Sequence, residues 1–157
     1  MNLTNLSDSE LREAYLLQER LADLKKQETC QDKFLDFIDN IWPEFICGRH
    51  HKIFAQKLED IATGKINRLI VNMPPRHTKS EFASTYFPAW VMGKFPNKKI
   101  MQTTHTGELA VRFGRKVRNL MDSEDYTKIF PNVSLSADSK FSDRDWETYP
   151  LPKRENK

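Results

Sequence analysis

Pro74-Pro75-Arg76-His77-Thr78-Lys79-Ser80 is the stretch whose residue types and order come nearest to chemistry. It follows a short apolar run, Arg68-Leu69-Ile70-Val71-Asn72-Met73, and leads into a run with helical periodicity. A strand entering a loop that ends Lys-Ser at a helix start is the layout of a phosphate-binding loop. Backbone N–H groups at a helix start point at the ligand, and the helix dipole favours an anion there. In such a loop Lys79 neutralises the β- and γ-phosphates and the Ser80 hydroxyl ligates Mg²⁺. Pro75, Arg76, His77 and Thr78 complete the cradle, with Arg76 placed to contact or sense the γ-phosphate. The usual spacing is G-x-x-x-x-G-K-[ST]; here Met73 and Thr78 stand in the two glycine positions. A β-branched residue is costly at positive φ, so Thr78 predicts a loop that keeps φ negative at that point. Spacing alone leaves an ordinary basic turn as the alternative.

Other reactive or charged groups are more scattered. Arg112, Arg115, Lys116 and Arg118 form a run with no acid inside it. Such a run contacts DNA phosphates or a nucleotide, or is a solvated helix face, the commoner outcome. His105 follows a β-type run and reads as a turn residue or a nucleotide-facing one. Cys30 and Cys47 have no zinc spacing and read as ordinary thiols. Trp42, Trp90 and Trp146 read as core or partly buried aromatics, and Asp138 and Asp143 are too isolated for a metal pair.

The elements that must position these residues begin with three helices. Ser7-Asp8-Ser9-Glu10 is a capping box, followed at helical spacing by Leu11, Ala14, Tyr15, Leu17, Leu21 and Leu24. A second helix runs from about Asp32 and ends near Trp42, because Pro43 disfavours helix at the residue before it. The third carries Ile53, Phe54, Leu58, Ile61 and Ala62 and closes at Gly64 as a C-terminal cap. Arg68–Met73 then reads as a strand, and a helix follows from Lys79 to about Gly93, bent or split by Pro88. Lys98–Thr104 reads as a second strand, and Gly107–Met121 as a helix. Strands alternating with helices predict a parallel sheet with right-handed crossovers, an α/β fold. Ile129, Phe130, Val133 and Leu135 suggest a short strand or packed loop. Past Ala137 the polar sequence, with Pro150 and Pro152, predicts no regular structure.

A chain of 157 residues fits one small domain with a real core. A net charge of +3 is too small to announce a nucleic-acid binder by itself. The first residues lack a basic and apolar export signal, and no apolar run approaches bilayer length, so an intracellular protein is expected.

The sequence also resembles a known family. Asn72 to Glu81, NMPPRHTKSE, resembles the Walker A segment of large terminase subunits, the DNA-packaging motor ATPases of tailed bacteriophages. Upstream, Arg49-His50-His51-Lys52, Leu58 and Gly64 to Ile70 are similar to the family's His-His helix, turn and first strand. Downstream, Phe87-Pro88-Ala89-Trp90, Thr103 to Ala110 (TTHTGELA) and Phe113 to Asn119 are similar to its next helix, second strand and basic helix. Ile129-Phe130-Pro131 and Asp138-Ser139 fit as well, so the resemblance covers roughly residues 30–148.

The resemblance implies a helical lead-in over 1–48, the first half of a P-loop NTPase core over 49–148, and a polar tail over 149–157. It implies ATP and Mg²⁺ as cofactors. Implied partners are double-stranded DNA, the small terminase subunit and the portal protein, with a homo-oligomeric ring in the complete motor, no membrane, and a location in the host cytoplasm. It sets His50 and His51 near the adenine, with helix capping or surface exposure as the alternative. In the family a Trp-x-Thr segment precedes a glycine-rich stretch and a Walker B strand ending in acids. Here Trp146-Glu147-Thr148 is followed by Tyr149-Pro150-Leu151-Pro152-Lys153. The Walker B acid, the catalytic Glu and the nuclease domain are therefore not matched, and losses of that kind cost ~10³–10⁵ in rate. Nucleotide binding with very weak hydrolysis is the expectation. The alternative is a truncated or split-gene nucleotide- or DNA-binding fragment without independent catalytic activity.

Overall fold

The computed structural model describes residues 7–135 and the backbone of 148–150. Asp138, Asp143, Trp146 and the tail beyond Pro150 lie outside the described residues. Helix α1, Asp8–Asp32, starts at the expected box: the Ser7 side chain accepts from the Glu10 N–H, and Glu10 Oε2 accepts from the Ser7 N–H at 2.8 Å. Helix α2, Phe34–Ile41, ends before Trp42 and Pro43 as expected. Helix α3, Arg49–Ala62, is followed by Gly64 at φ 78, a left-handed position that costs glycine little. A continuous helical stretch then comprises α4 (Lys79–Glu81), a π-helical turn (Phe82–Tyr86) and α5 (Phe87–Lys94). Helices α6 (Gly107–Met121) and α7 (Glu124–Ile129) complete the helices among the described residues. Thr106 and Ser123 cap these last two through their side chains.

Pro88 neither breaks nor splits the helix it enters. It cannot donate to the carbonyl of Ser84, and the π turn lies in the residues just before it. The Ser84 carbonyl instead accepts from Gln102 Nε2 at 3.4 Å.

The parallel sheet predicted from the alternating pattern is not formed. Neither Arg68–Met73 nor Lys98–Thr104 is a strand, and no backbone hydrogen bond joins the two runs. Among the described residues, strand pairing is confined to β1 (Val133–Leu135) and β2 (Thr148–Pro150), antiparallel, with Val133 opposite Pro150. The fold is mostly helical rather than α/β, and the half P-loop core expected over 49–148 is corrected accordingly. The two runs meet their packing needs against helices. Leu69, Val71 and Met73 face the core while Ile70 stays 89% exposed. The second run is tied by side chains to helix carbonyls, Lys98 Nζ to Ala62 and Gln102 to Ser84. Alternating burial therefore arose without the ladder it usually signals. Strand β2 is a second correction, since Pro150 was expected to preclude regular structure; a proline is tolerated at the end of an edge strand. Helix α7 was likewise not foreseen.

Packing centres on aromatic rings. Phe34 of α2 meets Phe82, Phe87 and Trp90 with centroids 5.7, 5.6 and 5.5 Å away. The buried polar ends are satisfied: Trp90 Nε1 donates to the Cys30 carbonyl at 3.0 Å, and Tyr126 Oη to the Ala89 carbonyl at 2.9 Å. Only the C-terminal end of α1 joins this core, through Cys30 and through Gln27 and Gln31, which donate to the Ile129 carbonyl. Tyr15, Leu17, Leu21 and Leu24, spaced as a buried face, are instead exposed.

Candidate functional site

The 74–80 loop has a defined shape. Arg76 and Thr78 both take left-handed backbone conformations, φ 64 and φ 55. The expectation of negative φ at Thr78 is therefore overturned. The residue sits in the conformation that glycine adopts easily and a β-branched side chain resists. Directly after it the helix starts at Lys79, and no side chain caps that start. Four other helix starts among the described residues have a side-chain acceptor: Ser7, Thr106 and Ser123 cap by hydroxyl, and Glu59 Oε1 accepts from Phe34 N–H at 2.8 Å; the α3 start at Gly48 has no capping side chain. The first N–H groups of a helix have no intrahelical partner, and no side chain accepts from those at the Lys79 start.

Lys79 is half-buried, and its Nζ donates to the Met73 carbonyl at 3.2 Å, folding the side chain back across the loop it follows. Ser80 is exposed at the second position of the helix. Pro75, Arg76 and His77 are exposed, and His77 Nδ1–H donates to the Pro75 carbonyl at 2.9 Å, which tightens the turn. The donor set suits a phosphate: an uncapped helix start, one ammonium held loosely by a single carbonyl, and an exposed hydroxyl beside it.

His51 connects this loop to α3. Its ring is 6% exposed, between Phe45 at 4.8 Å and Phe82 at 5.3 Å. Nδ1 accepts from the Gly48 N–H at 2.9 Å, closing the first turn of α3. A nitrogen that accepts from an N–H carries no proton, so the neutral ring has its proton on Nε2. Nε2–H then donates to Thr78 Oγ1 at 2.8 Å, and the Thr78 hydroxyl donates to the His77 carbonyl at 2.7 Å. Burial first, then the neighbouring His50 and His77, hold the His51 pKa below its ordinary value, which favours this neutral form. Of the alternatives weighed for the histidine pair, His51 takes the capping one. His50 is exposed, its ring 3.8 Å from His51 and 5.6 Å from His77. The three imidazoles thus line one side of the loop. The link from His51 to Thr78 was not foreseen. The signal available was Gly48 three residues ahead of a side chain able to reach back, the capping-box spacing with imidazole as acceptor.

The basic run of α6 is partly engaged within the fold. Lys116 Nζ meets Glu81 Oε1 at 2.6 Å, tying α6 to the turn after Ser80. Arg118 donates to Asn119 Oδ1 at 3.3 Å, and Arg115 is also engaged with neighbours. Arg112 is exposed, and so is His105, in the bend before Thr106. Cys30 is buried, donating to the Asp36 carbonyl, and Cys47 is half-buried; both are free thiols. Among the described residues no three His, Cys, Asp or Glu side chains converge to hold a metal ion. Nor is any described helix long and apolar enough to cross a membrane. A cleft of about 160 Å³ lies between Gln31, Lys94 and Asn132, away from the loop. No protein-family model, curated protein or solved structure matches this chain.

Proposed function

We propose that the 74–80 loop holds the phosphates of ATP with Mg²⁺, and that the chain serves as part of a phage terminase large subunit, the motor that drives double-stranded DNA into procapsids. One observation carries the site: the helix beginning at Lys79 starts without a capping acceptor, directly after a loop with left-handed Arg76 and Thr78. That arrangement leaves the N–H groups of 79–81 without a side-chain acceptor, next to the Lys79 ammonium and the Ser80 hydroxyl.

The residues divide the work. N–H groups at the helix start donate to an anionic oxygen, with the positive end of the dipole behind them. Lys79 exchanges the Met73 carbonyl for a phosphate oxygen, a charge-assisted and stronger partner. Ser80 would hold Mg²⁺ through its hydroxyl, and the ion would neutralise phosphate charge. Arg76, exposed at the loop's crest, is free to meet the outermost phosphate. Bound ATP·Mg²⁺ supplies the phosphoryl group that a complete motor transfers to water. Arg112, exposed on α6, offers a contact for DNA phosphate, and the small terminase subunit and portal protein are the partners this reading implies.

Calorimetric titration with ATP·Mg²⁺ tests the site. Lys79→Ala should weaken binding about tenfold or more, the loss expected for one charge-assisted hydrogen bond. Equal affinity for the two proteins would remove the loop from consideration. Anisotropy with double-stranded DNA at two salt concentrations tests the DNA contact, and indifference to Arg112→Ala would exclude it.

A further inference from the structure

The left-handed conformation of Thr78 needs support, and the structure provides one source of it. Non-glycine residues held there are strained, and they persist where the surroundings over-determine them. Thr78 Oγ1 has two partners: it accepts from His51 Nε2–H and donates to the His77 carbonyl. The second bond lies within the loop and moves with it. The first reaches across 27 residues to a buried ring fixed by Gly48, Phe45 and Phe82.

We propose that His51 is a positioning residue for the loop. Its Nε2–H holds Thr78 in the left-handed conformation that turns the loop and the start of α4 toward a phosphate. Histidine here replaces the freedom of the missing glycine with an external tie. The inference rests on the nucleotide-holding reading and assigns a residue that acts on it from outside the loop. The two ring nitrogens have separate tasks, Nδ1 closing α3 and Nε2 shaping the loop, so substitutions can divide them. Asparagine places an amide oxygen near the position of Nδ1 and leaves Thr78 without its donor. Glutamine extends an amide N–H to the region of Nε2 and gives up the Gly48 contact.

The experiment measures ATP·Mg²⁺ affinity in four variants beside the wild type. His51→Asn should weaken binding about tenfold, within the range set by the strain of a non-glycine left-handed residue. His51→Gln should recover most of that loss. Thr78→Gly should bind well, and His51→Asn added to it should change nothing, because glycine holds the conformation unaided. Unchanged affinity in His51→Asn overturns the proposal. So does a tenfold loss that persists in the Thr78→Gly background, or loss of folding in that double variant, since His51 would then serve α3 alone. The ¹³C shifts of Thr78 Cα and Cβ report the loop without nucleotide. They should leave their left-handed values in His51→Asn and stay in His51→Gln, and no movement in His51→Asn overturns the proposal. If wild type binds no ATP·Mg²⁺ while these shifts behave as stated, the nucleotide reading fails and the positioning role stands.

Discussion

Replacing Phe82 by alanine removes the ring that the core and the loop share. Phe82 is fully buried and opens the π turn one residue after α4. Its ring lies edge-on to Phe34 at 5.7 Å, stacks on Phe54 at 5.8 Å and supports His51 at 5.3 Å. Truncating a phenylalanine at such a site costs about 3–5 kcal/mol, transfer and cavity terms together. A domain of this size has about 5–15 kcal/mol in total, so the variant should remain folded at low temperature but close to its limit. For a chain of this length each kcal/mol moves Tm by roughly 2–4 °C, which puts the drop on the order of 10 °C. Urea unfolding followed by tryptophan fluorescence reads this directly, with buried Trp90 a reporter 5.5 Å from Phe34. Phe82→Leu, which keeps most of the volume, should cost less than half as much. A cost for Phe82→Ala below about 1 kcal/mol would refute the view that this ring organises the fold.

Gly93→Ala should destabilise by about 1–3 kcal/mol, because a Cβ there would sit 2.6 Å from the Phe130 ring; chemical denaturation measures it, and a neutral result would mean the α5–Phe130 contact is looser than described. Glu10 is held below its ordinary pKa first by the Ser7 backbone N–H and then by the Ser7 hydroxyl. The unfolded chain takes up that proton more readily, so the capping box contributes above the ordinary carboxylate pKa and is lost as pH falls through the lowered value. Amide exchange at the start of α1 should rise over that window; Ser7→Ala, which keeps the backbone N–H, should reduce the pH dependence and Glu10→Gln should abolish it. His51 is also depressed, so its share of stability is present above the ordinary histidine pKa and declines as pH falls below it. Thr78 shifts that stay constant from neutral pH to full protonation of the ring would contradict this.

Features written in consecutive residues were legible. The Ser7–Glu10 box, the stop at Trp42-Pro43 and the left-handed Gly64 all appear where the sequence places them. Features that depend on distant partners were not. Arg68–Met73 has the alternation of a strand, and Leu69, Val71 and Met73 do face inward, but a strand also needs a hydrogen-bonded neighbour. Period-2 burial reports that one face is covered and is silent on what covers it. The exposed leucines of α1 make the converse point, since helical spacing specifies a face but not a partner for it. Helix α7 was obscured because its six residues show too little periodicity to stand out, although Ser123 with acids after it was a usable cap signal.

Thr78 shows how a local rule fails for an identifiable reason. The steric argument against positive φ at a β-branched residue is sound as a statement about cost. It predicts negative φ only if nothing outside the loop opposes that cost. Here a buried imidazole opposes it, and the imidazole itself is oriented by the Gly48 N–H at the start of another helix. The same hydrogen bonds give the loop a rigidity that glycine would lack, because the tie fixes one conformation where glycine permits several. A loop shaped in this way does not depend on a parallel sheet to hold it. Its anchors are α3 on one side and the helix starting at Lys79 on the other, both of which the described structure contains. The fold correction and the site reading are thus compatible, because the forces that shape the loop come from side chains and helix ends rather than from a strand ladder.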